Sequence, residues 1–500
     1  MGNDELHTLE NNPRPTDHEA LLAGPSKKGA WQKFAAFVWD KDYYDKSDAE
    51  RSLVHKLDCS ILTCLAFGYL MKYIDQTNLS NAYVSGMRAD LHIKGNEYTY
   101  MTVIYNAVYC AMQIPSNLLA LKIRPSYMLA ACEIGWMTFT FAQAGAKTVN
   151  QMYVFRFFIA LFESPFQVAT IHLMGSWYTK NELAKRISVW FVAGTAGQAF
   201  SGFLQAAIFK NMDGLAGLAG WRWLYIICGI MTLPGGIAIL MVLPDYPENT
   251  KVWFLTEADK QLAKARCAMA GTVASTGIIN LSTFKRIFSR WHIWVLGPTY
   301  IVYAWSVQSY SYFNTYLLLE GYTVTLRNIL PSVAFIIGIP VSMFWGYLSD
   351  RTGSRLGLTL GPQLWGLVPT GILCFFPANK AVRLFAFMVD ETYFVTHIYF
   401  TWVNEICKAD AEERAFLIAA CNTLFYAFNA WLPTVVFLQT DGPRWKKGFP
   451  TLFGANIISC CCMVAIYFLY ERQKKQLAAQ GEVEPEVEEI NHSSTLEEKE

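Results

Sequence analysis

Residues 59–86 read CSILTCLAFGYLMKYIDQTNLSNAYVSG. The stretch from Cys59 to Leu70 is apolar enough to lie in lipid, yet Lys72 and Asp75 follow it three residues apart. Charge at such a depth is costly and marks either a partner or a function. Whether the segment is a membrane span or a buried soluble helix is decided by the rest of the chain. Of the 500 residues 53% are hydrophobic and 16% charged, whereas soluble chains carry about 25% charged residues. Apolar runs of about 18 residues or more recur along the chain, each long enough to cross roughly 30 Å of hydrocarbon. The composition reads as an all-α, multi-pass membrane protein.

Twelve runs qualify as spans: 57–80, 98–121, 125–145, 150–174, 187–209 and 223–243, then 291–316, 327–348, 356–377, 383–406, 415–438 and 450–470. They predict six-helix bundles over 51–243 and 291–471, joined by a polar linker, 244–290. The tails 1–50 and 472–500 are polar, the second acidic, and both are expected to be disordered. The first fifty residues carry no signal-peptide pattern, so the first span is expected to direct its own insertion. Lys and Arg near the span ends, among them Lys56, Arg186, Arg290, Arg355 and Arg414, place both termini and the linker in the cytosol. The opposite side, with Arg88, Lys94, Arg222 and Arg327, carries roughly half as many.

The twelve cysteines lie mostly in apolar runs, without CxxC pairs or histidines at zinc spacing, and read as packing residues. No metal or other cofactor is expected. The absence of a phosphate-binding loop, a nucleophile triad or a basic patch argues against a primary pump, a membrane enzyme or a nucleic-acid partner.

Lys72 and Asp75 share one helical stripe and are close enough to neutralise each other. An ion pair, two groups reaching the outer surface, and a functional site all fit that spacing. In the fourth span, RFFIALFESPFQ places Arg156 and Glu163 seven residues apart on one face, with Pro165 following. The proline frees backbone groups that need partners or water. Such a helix offers a cation for an anion and a carboxylate for a proton, or else a structural Arg–Glu pair. In WSVQSYSYFNTY of the seventh span, Gln308, Tyr312 and Asn314 are candidates for ligand contact, or part of an interfacial aromatic belt. The tenth span carries Asp390, Glu391 and His397, which read as ligand or proton groups or as vestibule lining. Gly194, Gly197 and Gly202 in the fifth span permit close helix packing.

The turn after the eighth span reads GYLSDRTGSR, residues 346–355. It resembles the loop signature of the major facilitator superfamily. The resemblance implies twelve helices in two bundles, with Gly346, Asp350, Arg351, Gly353 and Arg355 linking helix ends as the bundles rock. The matching turn of the first half, residues 121–125, lacks the Gly and the Asp.

A more specific resemblance covers residues 50–470, to the fungal anion:cation symporters that include allantoate, nicotinate, pantothenate and biotin permeases. It is carried by Asp75, Asn78 and Asn81 with NAYVSGM, QIPSN (113–117), RFFIALFES (156–164) and GSWYTKNELAKR (175–186), and by GLAGWRWLYII (217–227), LPDYPENTK (243–251) and WVNEICKADAEERA (402–415). NAYVSGM, GSWY and GLAGWRWL are most similar to the vitamin-type permeases. The resemblance implies a plasma-membrane, proton-coupled importer of a small organic anion, functional as a monomer. Asp75 and Glu163 would carry protons and Arg156 would hold the anion. Many members have Arg where this chain has Gln76, and Lys72 on a similar face is the candidate replacement. An exporter of a fungal secondary metabolite and a non-transporting nutrient sensor are the alternatives. Gln198 after Gly197, where antiporters of the superfamily carry Gly-Pro, counts against export.

Overall fold

The computed structural model describes residues 46–120, 123–269, 281–407 and 410–479. Helix reaches into both expected tails, over 48–50 and 472–479; their remainders lie outside the described residues. In the first half α1 (Asp48–Asp90), α2 (Glu97–Ala120), α3 (Pro125–Ala144), α4 (Val149–Trp177), α5 (Lys180–Met212) and α6 (Gly220–Val242) form the bundle. The linker holds α7 (Glu257–Met269) and α8 (Leu281–Ser289). The second half contains α9 (Trp291–Ser306), α10 (Phe313–Leu319), α11 (Val324–Thr352), α12 (Arg355–Phe375), α13 (Lys380–Met388), α14 (Thr396–Ile406), α15 (Ala411–Val436) and α16 (Gly448–Ala479).

Eight of these helices, α1, α4, α5, α6, α11, α12, α15 and α16, are long and apolar enough to cross a membrane. Helices α2 and α3 are also of membrane length, and two broken paths, α9 with α10 and α13 with α14, complete the twelve passes expected. Bulky apolar side chains such as Val154, Ile230, Met241, Phe375 and Phe468 stay exposed, as a lipid-facing surface requires.

Three spans differ from their apolar runs. The first run ends near 80, but α1 continues to Asp90 through a π-helical turn at Tyr83–Met87. Asn78, Asn81 and Ser85 are buried and hydrogen-bonded inside the protein, so their polarity does not end the helix. Within that turn Gly86 has φ +122°, where a side chain would be strained. Lys72 and Asp75 therefore lie near the middle of the helix, and the reading of two groups reaching the outer surface is corrected.

The seventh and tenth spans, expected as single helices, are interrupted at Ser309–Tyr312 and Asp390–Tyr393. Asp390 joins the two breaks. It accepts hydrogen bonds from Ser309 Oγ, from the Tyr310 backbone N–H at 2.9 Å and from Tyr393 Oη at 2.6 Å. A side chain thus supplies the partner that the broken backbone loses.

Among the described residues, hydrogen bonds between the halves cluster in the middle and in the part far from the linker. Asn314 Nδ2 donates to Asn81 Oδ1 at 3.0 Å, Asn328 Nδ2 to Ser85 Oγ at 2.9 Å and Arg327 to the Val84 carbonyl at 3.1 Å. Asn106 reaches the Asn429 carbonyl at 3.3 Å. Gly202 lets α5 touch α11, for a Cβ there would lie 2.1 Å from Ser332 Oγ and 2.2 Å from the Asn328 carbonyl oxygen. Gly202→Ala should wedge this seam apart, since overpacking costs about 1–3 kcal/mol. At unchanged abundance, a cysteine introduced by Asn81→Cys should then react faster with a water-soluble thiol reagent than it does with Gly202 in place.

At the linker end Glu182 of α5 is fully buried and paired with Lys46 at 2.6 Å and Arg266 of α7 at 2.5 Å. Arg186 pairs with Asp58 at 2.9 Å and Lys56 with Asp259 at 2.8 Å. Arg266 and Asp259 thereby dock the linker helix on the first bundle, while Arg186–Asp58 ties α5 to α1. Burial alone would raise the Glu182 carboxyl, but the Lys46 hydrogen bond and the Arg266 charge outweigh it and hold it below its ordinary value. A lowered carboxyl stabilises the fold above the usual carboxylate range and loses that contribution as pH falls through the lowered value. Glu182→Gln removes the buried carboxylate that Lys46 and Arg266 share, leaving Arg266 its longer contact with Glu50 at 3.3 Å, and should cost up to about 3 kcal/mol at neutral pH, read as a lower melting temperature in detergent.

Candidate functional site

Helices α1 and α4 carry the charged residues of the candidate site, Lys72, Asp75, Arg156 and Glu163, and α2 supplies tyrosines beside them. Glu163 is fully buried. Its Oε2 accepts from Tyr105 Oη at 2.6 Å and from Gln76 Nε2 at 3.0 Å, while Gln76 Nε2 also lies 2.5 Å from Tyr105 Oη. Its Oε1 has no hydrogen-bond partner among the described residues. Lys72, 1% exposed, donates to Tyr109 Oη at 3.0 Å and stands 4.7 Å from that ring's centroid. Tyr109 in turn donates to Gln167 Oε1 at 3.3 Å and packs 4.5 Å from Tyr426 of α15.

Arg156, 3% exposed, lays its guanidinium 4.6 Å from the centroid of Tyr105, and its Nε has no hydrogen-bond partner among the described residues. Asp75 faces away from Lys72, toward α3, accepting from Thr140 Oγ1 at 3.2 Å and from Asn78 Nδ2 at 3.3 Å. Neither structural ion pair left open by the spacing, Lys72–Asp75 or Arg156–Glu163, is formed among the described residues. Lys72 and Asp75 are three residues apart but leave the helix toward different neighbours. Two buried cations and two buried carboxylates thus share one bundle without neutralising each other directly. Such groups are costly to bury unless something else completes them.

From Asp75 a polar chain runs outward. Ser201 Oγ donates to Asn78 Oδ1 at 3.0 Å, and Asn81 Nδ2 donates to Ser201 Oγ at 2.8 Å. Asn314 then meets Asn81 across the seam.

Two bundles around a buried polar centre form an architecture that also has a sequence counterpart. The Major Facilitator Superfamily profile matches residues 65–433. This chain belongs to that superfamily. It is 30% identical to the MFS transporter PfmaC of Pestalotiopsis fici, over 97% of this chain and 91% of its relative. It is 31% identical to the pantothenate transporter FEN2 of Saccharomyces cerevisiae, over 86% of each chain. With the vitamin H transporter of the same yeast it shares 28% identity, over 90% of this chain and 78% of the relative. A crystal structure of a bacterial homolog of the human lysosomal transporter Spinster, inward-facing and unoccupied, superposes with a TM-score of 0.57 at 15% identity, covering 82% of this chain and 96% of that one. This last likeness bears on the fold alone.

The loop motif of this major facilitator chain ties helix ends together. Gly353 ends α11 with φ +64°. Arg355 binds Glu405 of α14 at 2.7 Å and Ser349 Oγ at 2.5 Å, and Arg351 donates to Tyr347 Oη at 3.2 Å. A Cβ on Gly346 would lie 3.2 Å from His397 Nε2. The Asp350 side chain lies outside the described residues.

The second-half candidates do not join the cluster as a group. Asn314 reaches it through the polar chain. Gln308 donates to the Ala304 carbonyl at 3.3 Å. Tyr312 stacks 3.7 Å from Phe437 within the second bundle's apolar core. His397 is exposed, beside Gly346.

Tyr105, Tyr109, Gln167 and Tyr426 were not among the sequence candidates. Tyr105 and Tyr109 are four residues apart on one face of α2, and Gln167 follows Glu163 by four; that periodicity relative to the charged positions was the available signal. Elsewhere His292, Cys407 and Glu413 lie close enough together to hold a metal ion. Glu413 is already neutralised by Arg290 and hydrogen-bonded to His292 Nδ1 at 2.7 Å, so this donor set fits an ion-pair network better than a cation.

Proposed function

We propose that this major facilitator protein is a proton-coupled importer of a small organic anion, with pantothenate and biotin as the leading substrates. The observation that carries the reading is Arg156, a buried guanidinium without a carboxylate partner among the described residues. A planar fork of donors in a low-dielectric layer is suited to a carboxylate ligand. Lys72 supplies the second cation. Gln76 donates to Glu163 and so positions the acid rather than replacing the missing Arg.

Charge balance supplies the coupling. With Asp75 and Glu163 ionised, they balance Lys72 and Arg156, and an added anion would leave the layer negative. One proton on either acid restores neutrality, so proton and anion favour each other's binding. An anion entering alone would also work against the membrane potential, at about 2.3 kcal/mol per charge per 100 mV. The cycle begins open at the far end with Asp75 or Glu163 protonated. Arg156 and Lys72 take the anion, the bundles rock, and both ligands leave at the cytosolic linker end. The supporting vitamin transporters at 31% and 28% identity narrow the substrate class. A plasma-membrane address, cytosolic termini and function as a monomer belong to the same reading.

Expression in vitamin-auxotrophic, permease-deficient yeast tests it. Growth on limiting pantothenate or biotin, increasing as the medium is acidified, is the expected result. Failure on both, with the protein at the cell surface, would favour export of a metabolite.

A further inference from the structure

Glu133 on α3 has no part in that cycle, yet it is fully buried and neither carboxylate oxygen has a hydrogen-bond partner among the described residues. The neighbouring helices are shaped around it. A Cβ on Gly235 of α6 would stand 2.3 Å from Oε1, and one on Gly68 of α1 would stand 3.1 Å from Oε2. Those same positions bring the rings of Phe67 and Phe166 close, so the carboxyl occupies a cradle of glycines closed by apolar groups. Thr140, seven residues along α3, donates to Asp75 Oδ2. Glu133 therefore lies about 10 Å along the helix from the Asp75 layer, on its linker side.

The charged or titratable groups that interact electrostatically with Glu133 are Cys64 and Asp75 on α1 and Cys132 on α3 itself; the packed helices also carry Lys72 on α1, Arg156 and Glu163 on α4 and Cys228 on α6. None is within hydrogen-bond distance of the Glu133 oxygens. A carboxylate left bare in such a place is costly, so in this conformation the group holds a proton. If packing were its only role, an apolar residue would fill the cradle without that cost.

We propose that Glu133 binds and releases a proton of its own in each cycle, giving the protein a proton site separate from the anion-binding layer and more than one proton per anion. The carboxylate takes up H⁺ while the bundles are open at the far end and becomes the neutral acid, which the closed cradle then encloses. It gives that proton to water as the carboxylate when the layer between α1, α3 and α6 opens toward the linker end. The inference rests on the proton coupling proposed above.

Charge movement per anion tests it in proteoliposomes, using whichever of pantothenate and biotin supports growth. Wild type should move about two protons, hence one net positive charge, per monovalent anion. E133Q should move one proton and no net charge, and E133D, which keeps a carboxyl, should restore the wild-type ratio. Acid-driven but electroneutral uptake by wild type would overturn the inference and leave the proposed function standing; so would an unchanged ratio in E133Q. The wild-type ratio decides even if E133Q does not reach the membrane. Wild-type uptake indifferent to pH would overturn the coupling itself, and this inference with it.

Discussion

Arg156→Gln is expected to abolish uptake at limiting vitamin while leaving the protein folded. Removing one side of a buried, charge-assisted carboxylate contact costs about 2–5 kcal/mol, which raises KM by roughly thirtyfold to several-thousandfold. The same change is expected to leave the melting temperature unchanged or higher. Among the described residues Arg156 has no carboxylate in direct contact to strand, and removing a buried charge that is balanced only at a distance relieves a desolvation cost. A structural arginine would behave in the opposite way, since breaking a buried ion pair destabilises by about 3–5 kcal/mol. Arg156→Lys keeps the charge but not the planar fork and should recover only part of the affinity. Uptake near wild type in Arg156→Gln would remove the residue from the substrate site.

Glu163→Gln is expected to separate binding from accumulation. The amide resembles the protonated acid in shape and charge, so Tyr105 and Gln76 keep a partner and the anion can still bind. What is lost is the ability to release a proton at the linker end. Coupled to one proton, a gradient of two pH units drives about hundredfold accumulation, because each unit is worth 1.36 kcal/mol. The variant should lose that hundredfold, keeping at most what the Glu133 proton drives, while exchange of labelled for unlabelled vitamin continues. If proton-driven accumulation by Glu163→Gln matched wild type, Glu163 would not be a coupling residue, and Asp75 would be next to test.

The twelve passes and the two-bundle plan were legible because a membrane demands length and apolarity, which a single chain displays openly. The ends and interruptions were less so. Asn78, Asn81 and Ser85 read as the close of a span, but their partners come from α5 and α11, more than a hundred residues away. The breaks at Ser309–Tyr312 and Asp390–Tyr393 carry no proline or glycine; a carboxylate joining two distant helices is not a local signal. In the candidate site, intramembrane charge pointed to Lys72, Asp75, Arg156 and Glu163. It did not indicate how they face one another, since pairing depends on which neighbour each rotamer meets. Tyr105 and Tyr109 went unnoticed because aromatic residues are common in spans, and only their position beside Lys72, Arg156 and Glu163 distinguishes them.

The chain Asp75–Asn78–Ser201–Asn81–Asn314 carries a thermodynamic obligation. Parting the halves at the far end separates Asn314 from Asn81 and frees Asn81 to turn, which alters what Ser201 and Asn78 can offer Asp75. Any free energy by which the open seam prefers one protonation state of Asp75 is returned in full as a bias of that protonation state on the seam. Acidity and access at that far end are, through these five side chains, two handles on one equilibrium.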